Sequence, residues 1–277
     1  MRDRRFGRGQ KRERGTDPFA SAWFAALSAS FPRGEAMFID AVRAHRDDVP
    51  PKLAEEIRDF IRQEVNHSRE HLAFNRAVAD AGYDLTEIDA RVKSLVADTQ
   101  AAPPIVQLTI TCALEHFTAM FAHEFLKDPD SIASAGMGDV QLWLWHAVEE
   151  IEHKAVAYDT WLHATRSWSD WKRWRVRSLI MALVTYRFLR NRVTDAVELL
   201  RQDGITGWKA KWGLFTHLFS RPGILRKIFP AWLGYYKPGF HPWDLDDRHL
   251  ITEWEDAQTV VGEGAATSDR SDGPATT

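Results

Sequence analysis

The stretch Trp145-His146-Ala147-Val148-Glu149-Glu150-Ile151-Glu152-His153-Lys154 decides how this chain is read, because it sets Glu150-x-x-His153 inside an apolar helical run. A second copy of the pair, Glu64-Val65-Asn66-His67, stands earlier, and each copy follows a lone glutamate, Glu35 or Glu115, by about one long helix and a turn. Residues three apart share a helix face, so the Glu and His of one motif reach the same ion or adjacent ions. Four antiparallel helices would therefore bring Glu35, Glu64, His67, Glu115, Glu150 and His153 to one level of a bundle core. Four carboxylates buried together would repel one another and be costly to desolvate unless cations neutralised them. Carboxylates and imidazoles without thiolate suit iron first, with manganese or zinc as alternatives. The cofactor expected is a pair of such ions.

Outward from these motifs the chain reads as nearly all helix. A first helix from about Gly34 to His45 ends at Asp47-Asp48-Val49-Pro50-Pro51, and a second runs from Pro51 to Gly82, where glycine supplies a left-handed cap. Its stripe holds Phe60, Glu64, His67, His71 and Phe74. A short helix from Thr86 to Val96 follows, with Thr86 as its cap. Pro103-Pro104 opens a third long helix carrying Cys112 and Glu115 on its inner face, closed by Asp128-Pro129. The fourth long helix is expected from Val140 to His163, with Leu142, His146, Glu150, His153 and Ala157 on one stripe, and Glu149 and Glu152 to either side. His146 points with Glu150 and His153 and joins the ligand set. His71, one turn beyond His67, is a candidate for orienting substrate or a bridging water. His116 points away and is left out.

The expected organisation is a basic, disordered leader over 1–17, a di-metal bundle over 18–165, a Trp-rich helical extension over 166–255 packing on it, and a disordered tail over 256–277. Eleven of the twelve tryptophans follow residue 140. Within the extension, Trp168, Trp171 and Trp174 alternate with Lys172, Arg173, Arg175 and Arg177, and an apolar helix from Ser178 to Leu189 is too short to span a bilayer. Core or dimer packing and peripheral membrane contact are the two uses left open for this segment. The net charge of −3 argues against a general polyanion partner, and no nucleic acid is expected. Cys112 is the only cysteine, so no intrachain disulfide forms and a cytoplasmic location is expected, membrane-associated if the Trp-rich segment meets lipid.

Several segments resemble a bacterial family of predicted metal-dependent hydrolases, itself ferritin-like. They are Phe31-Pro32-Arg33-Gly34-Glu35, Gln63 through His67 and His71 to Asn75, Leu114-Glu115-His116, Trp145 to Lys154, and Lys237-Pro238-Gly239-Phe240-His241-Pro242-Trp243. The run His146-x-x-x-Glu150-x-x-His153 is also similar to the last ligand helix of arylamine N-oxygenases, which are di-iron proteins. The resemblance implies an all-α, ferritin-like four-helix bundle with a di-metal core and extra C-terminal helices. It implies di-iron oxidoreductase chemistry on a small organic substrate, served by an electron donor. The alternatives are hydrolysis of an ester or amide by a metal-activated water, and a non-catalytic metal-binding protein. A homodimer is compatible with each.

Overall fold

The computed structural model describes residues 17–133, 140–220 and 223–268. The basic leader up to residue 16 and the end of the tail, 269–277, lie outside them. The described residues are all-α, with no strand among them.

Helix α1, Pro18–Arg43, starts well before the expected Gly34. Asp17 caps it, accepting a hydrogen bond from Phe19 N at 2.9 Å, and Pro18 occupies the first turn, where a missing N–H costs nothing. Pro32 then sits inside the helix. A proline deprives the carbonyl four residues back of its donor, here that of Ser28. Asn75 supplies a replacement, its Nδ2 donating to Ser28 O at 3.0 Å, so the helix continues and delivers Glu35 to the core.

Helix α2, Pro51–Asp80, ends near Gly82, which lies at φ +103°, and α3 follows as Thr86–Gln100. The N-cap of α3 is Leu85 rather than Thr86, and the Asp84 side chain accepts from Thr86 N at 2.9 Å. Helix α4, Pro104–Lys127, is long and apolar enough to cross a membrane by composition alone, but 61% of that window is buried inside the protein, which marks a core helix. A short α5, Asp130–Ala133, leads on to α6, Val140–His153.

The single helix expected over 140–163 is broken directly after His153, and α7 resumes as Val156–Ala164. The break falls at Lys154, whose buried ammonium donates to Asp247 Oδ1 at 2.6 Å and to Leu245 O at 2.7 Å. An unpaired buried ammonium would be costly, so the turn and the C-terminal segment hold one another in place.

Helix α8, Asp170–Gln202, absorbs the expected Ser178–Leu189 helix into a far longer one capped by Ser169. It packs along α1, where Arg192 Nη1 donates to Ala26 O at 2.7 Å and Arg192 also pairs with buried Asp195, itself paired with Arg91 of α3. Helices α9, Gly207–Phe219, and α10, Ile224–Gly234, come next; a 3-10 turn at Pro242–Asp244 precedes α11, Arg248–Ser268. Helix α11 thus continues past residue 256, where the tail was expected to begin. The core is one cluster running from Trp23 and Leu27 through Phe60, Leu108 and Trp145 to Met181 and Tyr235.

Candidate metal centre

Four helices carry the candidate ligands into this core: α1 brings Glu35, α2 brings Glu64, His67 and His71, α4 brings Glu115, and α6 brings His146, Glu150 and His153. All eight side chains are at most 4% exposed. One atom each from Glu64, His67, Glu150 and His153 lies within 4.8 Å of the others, and Glu35, His71 and His146 form a second such set. His153 links the inner carboxylates, with Nε2 at 3.2 Å from Glu64 Oε1 and Nδ1 at 3.4 Å from Glu115 Oε2. His67 Nδ1 lies 3.7 Å from Glu64 and 3.6 Å from Glu150.

The polar atoms of this cluster are largely orphaned. Both oxygens of Glu64 and of Glu115, both ring nitrogens of His67 and of His153, and one oxygen of Glu35 are buried without a hydrogen bond. Buried polar groups in folded proteins are otherwise paired almost without exception. Hard carboxylate oxygens and imidazole nitrogens gathered in one buried cluster are the donor set of a transition-metal site, and they fit cations.

The electrostatics show what stands in for positive charge when only protons are available. Burial, then the neighbouring Glu150, pushes the Glu115 carboxyl up to about 8, and burial with Glu64 pushes Glu35 well above the carboxylate range. Burial would also raise Glu64, but the imidazoles of His153 and His67 outweigh it and hold that carboxyl at about 2. His67 rises to about 10 against the opposing effect of burial, because Glu149 and Glu64 face it. His153 is raised well above its ordinary value against burial in the same way, by Glu150 and Glu115. Arriving cations would displace these protons.

His146 and His71 belong to a hydrogen-bond chain whose direction can be read. Asn75 is fixed by its amide bond to Ser28 O, so its Oδ1 accepts from Ser28 Oγ at 2.8 Å. Ser28 has spent its only proton, and His71 Nδ1 at 2.9 Å must donate to it. His71 Nε2 then presents a lone pair to His146 Nδ1 at 2.7 Å, which makes Nδ1 the protonated nitrogen of His146. Burial, reinforced by His67, lowers the His146 pKa and favours the neutral ring. Its Nε2 lone pair consequently faces Glu150 Oε1 at 2.8 Å, a repulsive contact that a bound cation would relieve.

The structure thus gathers Glu35, Glu64, His67, Glu115, His146, Glu150 and His153, and puts His71 among them. Glu149, expected beside the stripe, is 2% exposed and its Oε2 lies 3.2 Å from His67 Nε2. It faces the nitrogen turned away from Glu64 and Glu150, the position from which a carboxylate orients a ligand imidazole. Periodicity gives no signal for it, since Glu149 lies beside the apolar stripe of α6. Glu152 stays exposed and accepts from Gln63 Nε2 at 2.9 Å. Two hydroxyls also escaped the sequence reading: Ser68 Oγ donates to Glu35 Oε2 at 2.7 Å, and Thr118 donates to Glu150 Oε2. His116 faces away, at 3.2 Å from Ala231 O. Cys112 is buried with Sγ at 3.3 Å from Ala157 O, outside the ligand sets.

A cavity of about 150 Å³ adjoins the cluster. Glu35, Thr118 and Glu150 line it together with an apolar wall that includes Leu27, Phe31, Phe38, Leu114, Phe117 and Phe121.

A family model described as "Predicted metal-dependent hydrolase" matches residues 1–246. No curated protein and no solved structure matches the chain.

Proposed function

The chain belongs to the family of predicted metal-dependent hydrolases, and from its buried cluster and the cavity beside it we propose that it is a di-iron oxidoreductase acting on a small apolar substrate. Glu64, His67, Glu150 and His153 would hold one ion, with Glu115 beside His153, and Glu35 and His146 the other, with His71 orienting the His146 ring through its Nδ1. When bound, a redox-active pair supplies electrons to dioxygen.

The observation that carries this reading is the apolar wall of the cavity that Glu35 and Glu150 also line. Such a wall binds a hydrocarbon or aryl group by removing it from water, at about 25 cal/mol per Å² of apolar surface buried. It admits dioxygen, which is apolar, and disfavours water, the co-reactant a hydrolase consumes. Thr118 and Ser68 hold Glu150 and Glu35 in place at the cavity edge. Glu149 does the same for His67 from behind. The family's description favours a second reading, in which the ions would acidify a water that attacks an ester or amide.

Anaerobic loading with Fe(II), followed by air, separates the two. The oxidative reading expects about two irons bound per chain, in line with the two ligand sets, and a new near-ultraviolet charge-transfer band. Absence of the band in iron-loaded protein rejects it. Metal-dependent turnover of an aryl ester, abolished in Glu115→Ala, would establish the hydrolytic reading in its place.

A further inference from the structure

Helix α9 is sided in an unusual way. Ala210, Leu214 and Leu218 are buried against the protein, as the inner face of an amphipathic helix should be. The outer face, where polar residues belong, carries Trp208, Trp212, Phe215 and Phe219, which are 73%, 54%, 49% and 42% exposed. Their rings stack in succession along the helix, with centroids 5.6, 5.5 and 4.9 Å apart. On α10, Phe229 and Leu233 add 55% and 54% exposed side chains one turn apart. Scattered surface apolar residues are ordinary, but a continuous row of large aromatics marks a contact surface.

The charge around this row identifies what it meets. From Gly204 to Trp243 the sequence contains no Asp or Glu and six basic residues, Lys209, Lys211, Arg221, Arg226, Lys227 and Lys237, in a chain whose net charge is −3. Lys209 and Lys211 are exposed beside Trp208 and Trp212, and Arg226 and Lys237 are also exposed. Two copies of such a surface would repel each other. Thirteen helical residues extend about 20 Å, too short to cross a hydrocarbon core of about 30 Å, so α9 can lie along a bilayer but not through it. Aromatic rings at headgroup depth with lysines reaching outward to phosphate are the composition of an interfacial helix.

We propose that the outer face of α9, with Phe229 and Leu233 of α10, docks the protein on an anionic phospholipid bilayer. This surface is independent of the chemistry at the metal centre. The test is co-sedimentation of the full chain with vesicles of mixed phosphatidylglycerol and phosphatidylcholine, against pure phosphatidylcholine, at low and high salt. Binding is expected on the anionic vesicles and should fall with salt. The Lys209→Gln, Lys211→Gln variant should bind about 30-fold more weakly. Trp208→Ser, Trp212→Ser should bind about 100-fold more weakly, with helical circular dichroism unchanged because both residues are exposed. Failure to bind anionic vesicles at low salt overturns the proposal, as does unaltered binding by both variants. A wild-type dimer in sedimentation velocity that dissociates in the Trp variant would assign the face to a second copy instead.

Discussion

Removing metal turns the pH dependence of folding into a direct readout of the cluster. In the metal-free fold, burial and then Glu150 raise the Glu115 carboxyl from 4.5 to about 8. A raised carboxylate keeps its proton in the folded chain after the unfolded chain has lost it. Its contribution to stability is therefore complete below 4.5 and is lost as pH climbs through 8. Each pH unit well inside that window removes about 1.4 kcal/mol, falling to half that at the upper end, so going from about pH 6 to pH 8 removes about 2 kcal/mol from Glu115 alone. Against a total stability of about 5–15 kcal/mol this is a large fraction. His67 acts in the same direction between its ordinary 6.5 and about 10, since its charged form is held by Glu149 and Glu64 despite burial. Glu64, held at about 2 by His153 and His67 against burial, has the opposite sign, and its contribution disappears only in acid, below 4.5. Urea denaturation followed by circular dichroism on chelator-treated protein, at about pH 6 and pH 8, should show wild type losing at least about 2 kcal/mol. Glu115→Gln should lose distinctly less, because its amide does not titrate. Anaerobic Fe(II)-loaded wild type should show little change across the same interval, as bound cations keep the carboxylates ionised at both pH values. A metal-free wild type as stable at pH 8 as at pH 6, or a Gln variant with the full wild-type drop, would refute the reasoning.

Three further outcomes are expected. Glu149→Gln, which removes the charge 3.2 Å from His67 Nε2, should weaken metal affinity about 10- to 100-fold in a chelator-competition titration while leaving the fold intact. Asp247→Asn leaves the buried Lys154 ammonium without its counter-charge and should destabilise the protein by about 3–5 kcal/mol in urea denaturation, with the α6–α7 turn losing amide protection in hydrogen exchange. Leu108→Ala, at a fully buried position of α4, should cost about 2–5 kcal/mol and lower Tm without changing iron stoichiometry.

What was legible in the sequence was what depends on neighbours a few residues away. The starts of α2 and α4 are announced by Pro50-Pro51 and Pro103-Pro104, and the i, i+3 spacing puts each Glu with its His. The features missed depend on partners far along the chain. Pro32 looks like a helix boundary until Asn75 is seen to satisfy Ser28 O, so α1 begins well before the residue at which local sequence would start it. The α6–α7 break looks like continuous helix because Asp247, which anchors Lys154, is 93 residues distant. Glu149 lies off the apolar stripe by periodicity, and only the position of His67 on another helix explains why it turns inward. The cavity wall was equally hidden, since it is assembled from α1, α3, α4 and α8.

The burial of Cys112 has a practical corollary. Burial raises its thiol pKa well above the ordinary value, so the side chain stays protonated and shielded at neutral pH. The chain is thus a naturally silent background for maleimide or nitroxide labelling. A cysteine introduced at an exposed position such as Thr216 would carry the probe alone, and its mobility would report directly on what α9 touches.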